Sequence, residues 1–452
     1  MKSCVPRFLL AGTGSGCGKT TVTCAVLRAL VDRGLSVGAF KCGPDYIDTM
    51  FHSKITGTQS TNLDLFFFDE NTAKYLLARN GSGCAVSVIE GVMGYYDGMG
   101  LKETTASTYE VAKMTETPAV LVINAKGTSL SVLAAIHGFV TFYPDSQIQG
   151  VILNQCSAMS YPALAQAILE RFEGRVRPLG YLPRMEDCTL ESRRLGLVTA
   201  EQVERLEEKL KKLAKQAECT IDLDGLLALA AKALPVDYVP IEWPRYPSVR
   251  IAVAKDAAFC FYYGDHLQAL QDMGAQLVPF SPLSDGELPQ NIQGLYLGGG
   301  YPELYARELS ENKRLRRSIH DALQRGLPCI AECGGFMYLT ERIGGYEMVG
   351  FLPGACFDTG KLVRFGYAAF KAKADNLLCK AGEEIRGHEF HYWDATEPGN
   401  DFSAAKPSGK RWDCAFATSR LYAGYPHFHF YANPSFAKSF YKACLQEGKL
   451  YD

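Results

Sequence analysis

Gly12, Thr13, Gly14, Ser15, Gly16, Cys17, Gly18, Lys19, Thr20 and Thr21 follow directly on an apolar run at residues 7–11. A helical pattern over 21–32 comes next, Gly34 stops it, and a second apolar run restarts at 37–40. Strand, glycine loop and helix in that order build an anion site. Glycines let the backbone aim its N–H groups at one point, and the helix N-terminus adds the positive end of its dipole. Lys19 then reaches the outer phosphates of a nucleotide, and Thr20 ligates magnesium. The strict eight-residue form of this loop has glycine where Thr13 stands, so this is a variant with Gly12 one step earlier. A glycine-rich turn with a chance Lys-Thr is the competing account, and the strand and helix on either side weigh against it.

The same rhythm continues outward. Apolar runs at 85–89, 119–123 and 149–153 alternate with helical patterns, which indicates a parallel sheet covered on both faces. A charged amphipathic helix over 201–216 and a second helix over 222–233 precede VPIEWPRYPS at 239–248. Three prolines in that stretch mark a domain boundary, giving domains at 1–238 and 249–452. Strand candidates at 249–254, 277–280, 294–297 and 327–331, with a helix at 263–273, make the second domain α/β as well.

The chain's 452 residues call for about two domains. With 47% hydrophobic and 21% charged residues and a net charge of −2, it carries no nucleic-acid footprint. Its 15 cysteines include no Cys-x-x-Cys pair, which argues against a zinc site. The apolar start ends in a glycine loop and reads as a buried first strand rather than a signal peptide. No apolar stretch reaches the roughly 18 residues that span a bilayer. A reducing cytoplasm is the expected location, and no membrane is expected as a partner.

Two further stretches carry chemistry in the first half. Lys41-Cys-Gly-Pro-Asp45-Tyr46-Ile-Asp48 follows a strand at the edge where open α/β sheets bind ligands. Its two acids can hold magnesium or orient a substrate, and a Pro-Asp turn explains them equally well. The run at 86–89 ends in Glu90, the position of a second metal contact in phosphate-loop enzymes. Asp97 lies in a glycine-bounded loop just beyond, free to face a substrate.

In the second half Gly298, Gly299 and Gly300 follow a strand, and the run at 327–331 delivers Glu332-Cys333-Gly334-Gly335. A cysteine on a sharp strand-to-helix turn is an exposed nucleophile. The helix N-terminus beyond it is expected to depress its pKa, with backbone N–H groups of Gly334, Gly299 and Gly300 holding an oxyanion. A base comes from elsewhere in the chain. His427 and His429, two apart, share a face if they lie on a strand. His427 is the first choice and His429 the alternate. His388 and His391 are a weaker option.

GTGSGCGKTT, KCGPDYID, IEGVMGYYDG, VILNQ, ESRRLGLV, AFCFYY, YLGGGYPE, ECGGFMYL, HEFHYW and GYPHFHF together resemble the cobyrinate a,c-diamide synthase family from residue 12 to about 430. The first half is also similar to dethiobiotin synthetase. The resemblance implies an N-terminal phosphate-loop NTPase and a C-terminal class I glutamine amidotransferase domain. It implies that ATP phosphorylates the a- and c-acetates of a corrinoid, and that ammonia from glutamine displaces the phosphate. Lys19, Thr20, Asp45 and Glu90 then serve ATP and magnesium, and Asn154 reads the adenine. Tyr46, Asp48 and Asp97 bind the tetrapyrrole or help the activated carboxylate, and Cys333 forms a glutamyl thioester. Related amidotransferases place the base histidine after Tyr-x, as His427 is, but carry an orienting Glu two residues later, where this chain has His429. A homodimer is a possible assembly. Three other readings compete: a nickel-sirohydrochlorin a,c-diamide synthase, cobyric acid synthase, and a non-catalytic nucleotide switch.

Overall fold

The computed structural model describes residues 1–100, 102–188 and 206–448. The ESRRLGLV stretch and the first residues of the helix expected at 201–216 lie outside the described residues. The chain divides into two compact units, Met1–Ile241 and Glu242–Asp452.

The first unit holds a seven-stranded sheet in the order Thr61–Leu63, Val37–Cys42, Val86–Glu90, Arg7–Gly12, Ala119–Asn124, Ile148–Asn154, Arg177–Leu182. Every pairing is parallel. Arg7–Gly12 sits at the centre, and the strand order reverses there, so the crevice at its carboxyl end is where such a sheet binds a ligand. Both faces are covered: all six of its residues are buried. The helix Lys19–Asp32 turns Val22, Val26, Leu27 and Leu30 into one core with Leu210, Leu213 and Ala217 of the helix Leu206–Thr220. Each such buried aliphatic contributes about 1.5–3 kcal/mol. Gly34, at φ 79°, ends the helix in the left-handed region, where a side chain would be strained.

The second unit has a six-stranded sheet in the order Gln276–Phe280, Arg250–Ala254, Gly294–Leu297, Cys329–Glu332, Leu421–Gly424, Phe416–Ala417. The first five strands are parallel and the last is antiparallel. Beside it stands a five-stranded antiparallel sheet: Arg411–Cys414, Phe402–Ala405, Arg364–Ala372, Glu384–His391, His427–Phe428. The sequence reading missed this sheet. Its long strands, RFGYAAFKA and EIRGHEFH, mix charged with apolar residues, so no continuous apolar run marks them. Arg177–Leu182 and the three-residue edge strand Thr61–Leu63 were missed as well.

Among the described residues, no helix is long and apolar enough to cross a membrane.

Candidate active sites

In the first unit, the loop between Gly12 and Lys19 is shaped by close approaches. A Cβ on Gly12 would stand 2.6 Å from Cys17 Sγ and 2.7 Å from Lys19 Cδ. Gly18 has φ 94°, and a Cβ there would stand 1.9 Å from Asn154 Nδ2. A side chain at Gly12 would displace Cys17 or Lys19, and one at Gly18 would displace the Asn154 amide and be strained at that φ. The Lys19 ammonium folds back onto the loop and donates to the carbonyls of Gly14 and Met93. Thr13, Ser15, Gly16 and Thr21 complete the loop and the helix start as expected from the sequence.

Asn154 is turned onto this loop: its amide donates to the Cys17 carbonyl at 2.9 Å. The side chain expected to read adenine braces the loop in this structure.

Next to the loop lies a buried charged cluster. Lys41 Nζ is 2.5 Å from Asp48 Oδ2 and 3.0 Å from Glu90 Oε1. The Thr20 hydroxyl donates to Glu90 Oε1 at 2.7 Å and lies 3.5 Å from Asp48 Oδ2. His52 Nε2 meets the other Glu90 oxygen at 2.7 Å. The grouping differs from the expectation, which set Asp45 with Thr20 and Glu90. Asp45 is the N-cap of the helix Tyr46–Thr56, and its carboxylate accepts from the backbone N–H groups of Ile47 and Asp48. Asp48, inside the first turn, projects to Thr20 instead. Asp97 is exposed and closes its own turn by accepting from Gly94 N at 2.8 Å. Tyr46 is buried at the helix start.

The electrostatics of the cluster are unbalanced. Burial acts to lower Lys41, but Asp48, Glu90 and Asp45 more than reverse it, so its proton is held firmly. Burial acts to raise Glu90, and Lys41, His52 and Thr20 reverse that, leaving it ionised far below the usual carboxylate range. Asp48 goes the other way, pushed up to about 7 by burial and by the Asp45 and Glu90 carboxylates. The 2.5 Å separation of Lys41 from Asp48 favours an ion pair. The rise at Asp48 reflects one ammonium shared between two carboxylates in a low-dielectric site. A divalent cation would match that surplus negative charge.

In the second unit, Cys333 sits at the end of the strand Cys329–Glu332 with φ 49°, before the helix Gly334–Leu339. A non-glycine residue in that region costs on the order of 1–3 kcal/mol and is held only by its surroundings. Here the surroundings are glycines. A Cβ on Gly335 would stand 2.1 Å from the Leu297 carbonyl, and one on Gly334 would stand 3.0 Å from Gly300 N. A Cβ on Gly299 would come within 2.7 Å of His427 Cε1. The elbow, the Gly299–Gly300 strand and the imidazole therefore meet in one place.

The thiol does not follow the expected depression. Burial pushes Cys333 well above the ordinary thiol range, and Glu303 adds to this, while a hydrogen bond from the Gly334 backbone works against it. The carboxylates of Glu303, Glu389 and Glu332 are what its surroundings contribute in charge, so the short helix alone does not make a thiolate. A base must take the proton.

The structure separates the two histidines. The strand ends at Phe428, so His429 does not share a face with His427. His429 packs its ring against Tyr263 and His266, and its Nδ1 accepts from Tyr431 N. Burial draws it down to about 3, which removes it as a base near neutral pH. His427 keeps the place beside Gly299. Its Nδ1 is 3.8 Å from Glu332 Oε2, and its ring stacks on His388. His388 lies opposite it in the antiparallel pair. His391 stacks on Tyr425 and pairs with Glu389.

Glu332 brings a carboxylate near His427, its Oε2 standing 3.8 Å from Nδ1, beyond hydrogen-bond reach. Its oxygens accept from Phe428 N and from the Tyr296 hydroxyl, both at 3.2 Å. Sequence alone gives Glu332 no role. The signal was present: it ends an apolar strand, as Glu90 does. Lys41 and His52 were likewise given no role.

A phosphate loop with a charged cluster in one unit, and a cysteine elbow with histidine and glutamate in the other, define a nucleotide-binding domain joined to a glutamine amidotransferase domain. Family models match accordingly: a CobQ/CobB/MinD/ParA nucleotide binding domain at residues 8–197 and a CobB/CobQ-like glutamine amidotransferase domain at 250–435. Proteins named cobyrinate a,c-diamide synthase resemble the chain along nearly its whole length. That of Listeria monocytogenes serotype 4b is 42% identical, covering 94% of this chain and 97% of its own. That of Clostridium acetobutylicum is 43% identical, covering 95% and 98%. That of Thermoplasma volcanium is 38% identical, covering 98% of each. The chain belongs to the cobyrinate a,c-diamide synthase family.

Proposed function

We propose that this chain amidates the a- and c-acetate carboxylates of cobyrinate, consuming ATP and glutamine. It is a glutamine-hydrolysing carbon–nitrogen ligase of cobalamin biosynthesis. A carboxylate is a poor acceptor for ammonia, because its leaving group would be oxide. Transfer of the ATP γ-phosphoryl group to the carboxylate gives an acyl phosphate and ADP, and ammonia then displaces phosphate to leave the amide. The relatives above carry the cobyrinate name, which does not favour the sirohydrochlorin, cobyric acid or switch readings.

The division of labour follows the residues. Residues 1–238 carry the ATP-dependent step. Lys19 leaves the Gly14 and Met93 carbonyls for the nucleotide phosphates. Thr20, Glu90 and Asp48 would hold a magnesium ion, with water and phosphate oxygens completing its shell. Two carboxylates and a hydroxyl fit that ion better than they fit Lys41 alone. Magnesium, when bound, neutralises charge on the phosphates. Asp45 caps the helix that carries Asp48, and Tyr46 and Asp97 face the tetrapyrrole.

Residues 249–452 carry the glutaminase. His427 takes the Cys333 proton as the sulfur attacks the glutamine carboxamide, then returns it to the departing ammonia. Backbone N–H groups of Gly299, Gly300 and Gly334 stabilise the oxyanion. Water cleaves the thioester to glutamate. Glu332, 3.8 Å from His427 Nδ1, would orient the imidazole by its charge.

The observation that carries this reading is the meeting of Cys333, the Gly299–Gly300 strand and His427 in a chain that also holds a phosphate loop. The test is incubation with cobyrinate or sirohydrochlorin species, ATP, magnesium and glutamine, followed by mass analysis. Two successive hydroxyl-to-amino exchanges on cobyrinate are expected. Amidation of sirohydrochlorin alone, or of neither macrocycle, overturns the reading.

A further inference from the structure

His52 lies on the helix Tyr46–Thr56, beyond the stretch that the sequence singles out. Its ring is fully buried, as is the Glu90 carboxylate it meets. Glu90 Oε1 already accepts from the Thr20 hydroxyl and the Lys41 ammonium, so its partner oxygen accepts as well, and Nε2 carries the hydrogen and donates to Glu90 Oε2 at 2.7 Å. His52 Nδ1 is buried and has no hydrogen-bond partner among the described residues. The ring therefore makes one polar contact, and that contact is Glu90.

Glu90 is thus held from two sides. His52 occupies Oε2, while Oε1 faces the Thr20 hydroxyl and Lys41. A carboxylate held on one oxygen cannot turn its plane without breaking that bond. We infer that His52 is a positioning residue of the phosphate-loop site. By fixing Oε2 it keeps Oε1 aimed at Thr20 and at the cation that Thr20 and Glu90 take together. The inference rests on the reading of Glu90 as a magnesium contact.

Glutamine and asparagine separate this role from mere filling of space. The glutamine amide nitrogen falls where imidazole Nε2 lies, and the asparagine amide falls where Nδ1 lies. The full-length protein is titrated calorimetrically with adenosine β,γ-imidotriphosphate at a series of magnesium concentrations, and again in EDTA. His52→Asn should raise the magnesium needed for half-maximal binding by about 10- to 100-fold, the usual effect of losing an outer-shell partner. His52→Gln should restore most of the loss, and binding in EDTA should be equal in all chains. Should the asparagine variant fail to fold, His52→Leu fills the space without a donor and carries the same expectation.

Glu90→Gln is measured beside them. If it leaves the magnesium dependence unchanged, the reading of Glu90 falls and the inference falls with it. If Glu90→Gln raises the requirement but His52→Asn does not, the inference alone is overturned. Equal impairment by glutamine and asparagine, or weaker binding in EDTA, also overturns it, since either marks a structural role.

Discussion

Val86–Glu90 and Cys329–Glu332 are the same device placed in two units: a buried parallel strand that ends in a buried acid. Their acids meet different company. Glu90 faces Lys41, His52 and the Thr20 hydroxyl, and it is held ionised at the rim of an anion-binding loop. Glu332 faces a tyrosine hydroxyl, a backbone N–H and an imidazole, next to a thiol that burial keeps protonated. The comparison teaches that a strand end sets where an acid goes, while its partners set what the acid does. One site is built around fixed charge, and the other around a proton that must move.

The comparison breaks most sharply at the thiol. Cys333→Ser should abolish glutamine-dependent amidation, by about 10⁶-fold if it matches loss of the nucleophile in a serine protease. Amidation supported by free ammonia should persist. Initial rates with each nitrogen source check this, and loss of both would refute the separation of the two chemistries.

The charged site should break in stability before catalysis is even measured. Lys41→Met leaves Glu90 and Asp48 buried without their ammonium. Removing one partner of a buried ion pair costs about 3–5 kcal/mol. Urea unfolding of the first unit's transition reads this, and a change below about 1 kcal/mol would show an exposed-type pair.

Within the proton-moving site, the two histidines should part company. His427→Asn should lower glutaminase kcat by roughly 10²-fold or more, the contribution of a general base. Substitution of His429 by Asn should cost less, through packing against Tyr263 and His266. Glu332→Gln should fall between them. Glutamate release kinetics rank the three, and equal effects at His427 and His429 would remove the assignment.

The smallest effect concerns Glu303, beside the thiol. Burial pushes its carboxyl up to about 7, with Asp358 adding to the rise and a backbone hydrogen bond opposing it. The folded state then binds the proton more tightly than the unfolded state, so its contribution is full below about pH 4.5 and is lost as pH rises through about 7. Glu303→Gln should remove that loss. The melting temperature of the variant relative to wild type should rise between those pH values and level off above. Each kcal/mol would appear as about 2–4 °C in a unit of this size. A flat difference across that range would contradict the raised affinity of this half-buried carboxyl for its proton.

Much of this was legible in the sequence because it is local. The phosphate loop and the cysteine elbow are contiguous stretches in which several glycines meet close approaches or a positive φ, beside buried apolar strands. Those features fixed the α/β class of both units and located Lys19, Thr20 and Cys333. The antiparallel sheet of the second unit was not legible, because its strands lack a continuous apolar run.

Selection among candidates came only from the tertiary structure. Asp45 and Asp48 look alike in the sequence, but a helix start spends the first on its own N–H groups and sends the second to Thr20. His427 and His429 look alike until a strand ends between them. Lys41 reaches Glu90, and Glu332 approaches His427, across long stretches of chain. Local pattern dictates which conformations a segment can adopt. Which charges and protons face one another depends on distances between strands, and those exist only once the sheet has formed.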